Sequence, residues 1–434
     1  MIAFQFNKPP YALLVTLACI LTGSLSLEAG PVIQTLARDG AWTWFNDERA
    51  VLAGNNLLVG YVRRDGRVCV TAYDLAKRRG EESELSSWKK SDDHNNPALL
   101  LRTDGRLMAF YSTHGVKPFW NYRVTETPAN RLPLAWGPER AVDLSAFKLN
   151  RGVTYNNAFQ LSAEPDRIYN FVRGIQWNPT LNLSEDGGQT WQPPVQVIRW
   201  PDRPYVKYAS NGRDRIDLAY TEGSPVSASN SIYHVYLRGG MLFRTDGTPV
   251  AKLGETTPIE PSQGTVVYRF GAVYPNANTW IWDIVLDRKQ TPVIVHLVRI
   301  SPSDHRYFYA TYDRELKAWT SREAARGGGC LNPPKEPSYS GGIVLDPQSP
   351  SRIYVSTPLD PRNGRPTEHR EIYTGTTRDA GRTWKWKAVT ENSAADNLRP
   401  YVVRSIRNKH CVLWFRGSYR AYTDFETEIV GVLD

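Results

Sequence analysis

Two eight-residue segments, SEDGGQTW (Ser184–Trp191) and TRDAGRTW (Thr377–Trp384), obey one pattern: Ser/Thr-x-Asp-x-Gly-x-Thr-Trp. In this Asp-box pattern the Asp and Gly close a tight turn between two strands, and the Trp packs on the sheet edge. TYDRELKAW (Thr311–Trp319) is a worn third copy. A hairpin that recurs at long intervals marks a ring of small sheets, a β-propeller with four-stranded blades. The rest of the chain agrees. Runs such as NLLVGYVRR, RVCVTAYD, RLMAFYST, RIDLAYTE, TPVIVHLVRI and HCVLWFRG recur between Gly, Pro, Asn and Asp, and helical periodicity is almost absent. The expectation is an all-β chain, a seven-bladed β-propeller with Asp-box hairpin turns. Seven blades allow about 58 residues each, above the ~40–50 of compact repeats, so long loops are expected. Asp186 and Asp379 are read as turn-formers without a catalytic role. The closing run VLWFRGSYRAYTDFETEIVGVL alternates well and is expected to complete the ring with the N-terminal segment.

The first 29 residues read differently. Lys8 precedes an apolar run from Ala12 to Leu21, and small and polar residues follow. That is the pattern of a secretory signal peptide, too short for a membrane span. Cys19 offers a lipoprotein alternative, against which stands Thr16 at the position where such signals want leucine. Residues 30–434 are then one propeller domain, secreted or periplasmic, and a monomer is expected. Cys69, Cys330 and Cys411 remain, an odd and widely spaced set that is no disulfide framework. Cys69 and Cys411 sit in apolar runs and are expected in the core. The net charge of +9 favours acidic partners. For an exported chain the partner is an acidic polysaccharide, with no role for nucleic acid or for a membrane after the signal is removed.

Seven histidines occur, and two of them stand at matching places on consecutive strands. His94 lies in DDHNNPALL, just before an apolar strand, and His114 ends the apolar run of YSTHG. Five consecutive polar side chains are costly to bury, since each unpaired buried group costs roughly 1–3 kcal/mol. Asp92 and Asp93 either cap the turn or bind a cation, and the cap fits their position better. Asn95 either closes the turn before Pro97 or contacts substrate.

Together, WTWFNDERAV, DDHNNPALL, YSTHG, RIYNFVRG, YSGGIVLDP, NLRPYV and LWFRGSY resemble a family of Asp-box (BNR-repeat) propellers. That family contains the ulvan lyases and lyases that split rhamnose from glucuronate. The resemblance spans nearly the whole mature chain, and DDHNNP with the following histidine is its most specific part. It implies a seven-bladed propeller with a catalytic cleft on one face and cleavage by β-elimination. Carried over residue by residue, it implies catalytic roles for His94, His114, Tyr155 of VTYNNAFQLS and Arg173 of YNFVRG. The Tyr–Arg spacing is slightly long, and Asn157 stands where proline is usual.

Elimination beside a uronate needs the carboxylate neutralised, a base for the C5 proton and an acid for the leaving oxygen at C4. Arginine suits the first task because its fork holds a carboxylate bidentately. A neutral histidine suits the second. A tyrosine serves either proton step if a cation lowers its pKa. No cofactor is required, and a structural cation is open. Asp283, His296, His305, Cys330 and His369 include metal-ligand types without compact zinc spacing, His305 with Cys330 being the pair to test. Tyr205, Lys207, Tyr208, Arg213, Arg215 and Arg399 could bind sugar or sulfate, with Asn95, Tyr208 and Arg215 the expected substrate contacts. Arg215 and Arg399 could instead pair with acids between blades. Two other functions stay open. One is a glycoside hydrolase, rhamnosidase or sialidase-like, although only Asp92 and Asp93 supply carboxylates near the histidines. The other is a non-catalytic carbohydrate-binding propeller.

Overall fold

The computed structural model describes residues 1–5, 32–226, 228–334, 336–404 and 409–433. The leader expected over 1–29 therefore lies, beyond its first five residues, outside the described residues. The chain divides into Met1–Pro31 and Val32–Asp434, and the second unit is the propeller.

Seven antiparallel sheets form it. Blade 1 is built from Ala50–Ala53, Asn56–Val62, Arg67–Asp74 and Arg79–Ser87. Blades 2 and 3 begin with Ala98–Leu101 and Thr154–Leu161. Blades 4, 5 and 6 begin with Val206–Ser210, Asn278–Leu286 and Ile343–Leu345. Blade 7 takes Asn397–Val402, Cys411–Ala421 and Asp424–Leu433 from the C-terminus and Ile33–Ala37 from the N-terminus. Ile33 faces Val432 in that pairing, so the two ends of the domain close the ring.

Burial explains the sequence pattern. Each second strand lies between neighbouring blades, so Asn56–Val62 is buried throughout and reads as a continuous apolar run. The outermost strand Arg79–Ser87 is mostly exposed and carries arginine, glutamates and serines. Cys69 and Cys411 are buried free thiols in the core. Blade 4 departs from four strands: Pro249–Lys252 and Thr265–Tyr268 enlarge it to six.

The Asp boxes sit on the turns between third and fourth strands of blades 3 and 6. Asp186 accepts from the Thr190 amide at 2.9 Å and the Thr190 hydroxyl at 2.5 Å, while Ser184 Oγ accepts from Gly188 N at 2.8 Å. Asp379, Thr383, Thr377 and Gly381 repeat the same contacts. These hydrogen bonds hold both carboxyls down at about 2. Each box tryptophan then wedges against the preceding blade. Trp191 meets Trp120 edge-on at 4.7 Å, and Trp384 meets Tyr309 at 5.2 Å.

The axis of the ring is filled. Trp44 stacks on Trp282 at 4.3 Å. Lys207, from the first strand of blade 4, donates to Asp47, which Arg49 also pairs at 3.0 Å. Asp283 lies nearby, pushed up to about 6 by burial, and accepts from the amides of Ile284 and Leu345 at 2.9 and 3.0 Å.

Candidate active site

First strands all run away from the face on which DDHNNP lies. Segments before first strands and after second strands therefore gather on that face. DDHNNP precedes the first strand of blade 2 and forms a short turn, Asp93–Asn95, capped by Asp92, whose carboxylate accepts from His94 N at 3.1 Å. His114 follows the second strand, Leu107–Tyr111. Gly115 beside it has φ 64°, and a Cβ there would meet the Trp177 ring at 2.3 Å, so the THG glycine is needed for the approach.

The two imidazoles stack face to face, 3.8 Å apart and 6° from parallel. Asp92 holds both: one oxygen lies 3.0 Å from His94 Nδ1, the other 3.1 Å from His114 Nδ1. Asp93 Oδ1 lies a further 2.8 Å from His94 Nδ1. Asn95 accepts from the His114 amide at 3.0 Å and so fixes the second loop against the first. Tyr422, at the tip of a blade 7 hairpin, presents its ring edge-on to both, 5.1 Å from His94 and 5.5 Å from His114.

The surroundings drive the two histidines apart. Burial works against charge on His94, but Asp93 and Asp92 overcome it and raise its pKa to about 10. Burial and the charge of His94 together lower His114, against the pull of Asp92. At neutral pH the pair is an imidazolium under a neutral imidazole. Asp93 is itself anchored: Arg399 Nη1 and the Tyr419 hydroxyl donate to its Oδ2 at 2.5 and 2.6 Å. Asp93 and Arg399 are wholly buried.

Tyr155 and Arg173 join this cluster. The ring of Tyr155 lies 5.6 Å from His94, and the Arg173 guanidinium lies 5.0 Å over Tyr155 and 4.0 Å over Tyr205. Tyr155 sits in a bulge, where the blade 3 register shifts between Thr154 and Asn157, with φ 59°. A bulky residue there costs about 1–3 kcal/mol, strain that clusters at functional sites. Arg173 is 5% exposed and donates to the Pro204 carbonyl at 3.1 Å; among the described residues no carboxylate pairs with it. Burial opposes ionisation of both phenols. It raises Tyr155 well above its ordinary value, whereas the overlying Arg173 outweighs it at Tyr205 and lowers that phenol.

The other expected residues differ in place. Tyr208 is largely buried, stacked on Phe171 at 4.6 Å, and lines a small cavity together with Tyr155 and Arg173. Arg215 is at the far end of the strand pair that Tyr205 begins: Ser210 faces Ile216 there, while Val206 faces Tyr220 at the histidine end. It is bound to Asp217 and stacked on Tyr236. His305 Nε2 lies 3.0 Å from the Pro337 carbonyl, and burial pushes it down to about 4. The grouping of three potential metal ligands among the described residues is not His305 with Cys330. It is Asp92, His94 and His114, whose donor atoms lie within 4.8 Å of one another. An ion held through the Nδ1 atoms would displace both Asp92 hydrogen bonds. Tyr422 and the half-buried Glu336, whose carboxyl burial raises and the His94 charge lowers, were not singled out from the sequence.

Residues 57–326 match the model of a BNR repeat-containing family. No curated protein matches the chain significantly. Among solved structures, a PL25 ulvan lyase bound to -[GlcA(1-4)Rha3S]- has a TM-score of 0.66 at 14% identity, over 92% of this chain and 94% of that one. Polysaccharide lyase Uly1 gives 0.61 at 10% identity, over 92% and 97%. The BP39L lectin from Burkholderia pseudomallei gives 0.51 at 13%, over 92% and 96%. At these identities the likeness is one of fold. Among the described residues no helix is long and apolar enough to cross a membrane.

Proposed function

The chain belongs to the BNR repeat-containing family, and on that footing we propose that it is a secreted polysaccharide lyase that cleaves a glucuronate- and rhamnose-containing, ulvan-like polymer by β-elimination. The observation that carries the reading is the stacked histidine pair, 3.8 Å apart and both held by Asp92, beside an arginine that is buried with no carboxylate partner among the described residues. Buried charge is costly unless paired, and a uronate carboxylate would supply the missing partner. Arg173 and the His94 imidazolium hold that carboxylate and draw charge from C5. Neutral His114, the more exposed of the two histidines, takes the C5 proton. Tyr155 is kept protonated by burial and hands its proton to the C4 oxygen as that bond breaks. Electrons from the C5–H bond form the C4=C5 double bond, and the leaving sugar departs as an alcohol.

One observation favours a second assignment within the same chemistry. Tyr205 is the phenol whose pKa Arg173 lowers, which makes it the second candidate for the base in place of His114. The leader-like segment 1–29 and the net charge of +9 support export toward an acidic polymer. The test is incubation of the purified protein with a panel of uronate polymers, following the ultraviolet absorbance of unsaturated uronate. Saturated products from an active substrate would support a hydrolase instead, and binding without products a carbohydrate-binding propeller.

A further inference from the structure

The face opposite the histidines carries a pattern of its own. Where the Asp-box turn of blade 3 meets blade 2, a cleft of about 470 Å³ is lined by Arg102, Arg106 and Arg140, with Glu126 the one carboxylate in its lining. The equivalent place between blades 4 and 5 holds Arg215, Arg314 and Lys317 against Asp246. Between blades 5 and 6 it holds Arg288 and Lys289 against Asp287. Each cleft is thus more cationic than its own acids balance.

The cleft between blades 2 and 3 is the most fully built. Arg102 donates to the Gly187 carbonyl at 2.9 Å, and among the described residues its buried Nε has no partner. Tyr122 forms the floor and donates to the Gly188 carbonyl at 3.0 Å, so the Asp-box turn is pinned as one wall. Asp104 takes charge from both Arg102 and Arg106, at 3.1 and 2.8 Å, which leaves it shared. Arg140 opens the outermost strand of blade 2, exposed, and among the described residues forms no ion pair. Asp104 and Glu126 offset part of the charge of the three lining guanidinium groups, and an entering anion would offset the remainder. The guanidinium forks match the paired oxygens of a sulfate ester or a carboxylate.

We propose that this cleft binds an anionic substituent, sulfate ester or uronate carboxylate, of an acidic polysaccharide, and so anchors the polymer on the face away from the chemistry. The strand Leu107–Tyr111 separates His114 from the Arg102–Arg106 turn, roughly 17 Å of chain at ~3.4 Å per residue. A short oligosaccharide in the histidine cleft would not reach it, but a polymer passing over the edge of the ring would. The inference rests on the proposed function only for the choice of polymer.

The test compares the intact protein with Arg106→Glu/Arg140→Glu. Retention is measured on a cross-linked sulfated glucuronate–rhamnose polymer, on the same polymer after desulfation, and on double-stranded DNA. Turnover of a short oligosaccharide and thermal melting are followed in parallel. Each lost charged hydrogen bond is worth roughly tenfold in affinity, so retention on the sulfated polymer should fall at least about tenfold, with melting and short-substrate turnover unchanged. A matching fall on the desulfated polymer assigns the carboxylate as ligand, and a fall confined to the sulfated polymer assigns the sulfate ester. Unchanged retention would overturn the proposal, and so would an equal loss on DNA, which would mark a generic cationic surface. Wild-type protein that is retained but forms no unsaturated product would refute the lyase reading and leave this site standing.

Discussion

Replacing Asp93 by asparagine keeps the shape of the side chain and removes the charge that both Arg399 and His94 face. Arg399 is wholly buried and donates to Asp93 at 2.5 Å, to the Trp42 carbonyl at 2.8 Å and to Tyr419 at 2.7 Å. After the change the guanidinium keeps its neutral partners but has no counter-ion. Breaking a buried pair from one side costs about 3–5 kcal/mol. At ~2.1 cal/mol/K per residue over roughly 400 residues, the melting temperature should drop by about 4–6 °C. His94 supplies a second readout. Its folded pKa is raised to about 10, above the unfolded value of 6.5. Its stabilisation is therefore complete below pH 6.5 and is lost as pH rises through 10, a term on the order of 5 kcal/mol at ~1.4 kcal/mol per unit. Asp93 is the first charge that holds His94 up, so Asp93→Asn should also flatten the alkaline fall in stability. The assay is urea unfolding of wild type, Asp93→Asn, Arg399→Met and the double variant at several pH values between 6 and 10. Removing both charges should restore much of what either single change loses. If the singles add within about 0.5 kcal/mol, or if Asp93→Asn costs less than about 1 kcal/mol, the two are not a coupled buried pair and the reasoning fails.

His114→Gln and Tyr155→Phe should each cut formation of unsaturated product by about 10²–10⁴ with little change in melting, as loss of a proton-transfer group does; near-normal turnover in either would remove that residue from the scheme. Tyr205→Phe should leave turnover within a few-fold if His114 is the base, and a loss as large as that of His114→Gln would move the role to the phenol. Arg173→Lys should be severe in activity, since an ammonium keeps the charge and loses the fork; activity above about half of wild type would contradict carboxylate binding there. Because His114 works as a neutral base with a lowered pKa, kcat/KM should hold below pH 6.5 and fall only as pH drops through that pKa, and a fall beginning above 7 would contradict it. Gly188→Ala places a side chain at φ 86°, with its Cβ 3.0 Å from Met108 Cε, and should lower stability by about 1–2 kcal/mol without altering turnover.

The Asp boxes were legible because their chemistry is local. Ser184, Asp186, Gly188 and Thr190 satisfy one another within a single turn, so the pattern survives in the sequence as a unit. The extra strands of blade 4 were not legible. The segment around Pro249–Lys252 is bounded by glycines, threonines and prolines and reads as loop. Its pairing is decided by the exposed edge of the neighbouring strand, which no local window contains. DDHNNP and YSTHG belong to one blade, and their convergence could be seen from strand spacing alone. In the sequence Asp93 stands as a turn residue. Its partners Arg399 and Tyr419 arrive from blade 7 when the ring closes, more than 300 residues later.

Arg215 and Tyr205 lie at opposite ends of one strand pair. Alternation along a strand says which face a side chain takes, but not which end of the blade it occupies. Strand direction supplies the missing coordinate. His94 precedes the first strand of its blade, so residues that precede first strands share its face and residues that follow them lie on the other. Tyr205 directly precedes Val206–Ser210, and Arg215 follows it across the turn. The same rule places Tyr155 at the start of Thr154–Leu161 on the histidine face, and Arg102, just after Ala98–Leu101, on the opposite one. Counting strand ends from a single histidine therefore sorts the arginines of this chain into two groups. Arg173 ends a second strand and returns to the histidine face, where it overlies two phenols; Arg102, Arg106 and Arg215 flank turns on the far face, where they line the clefts between blades.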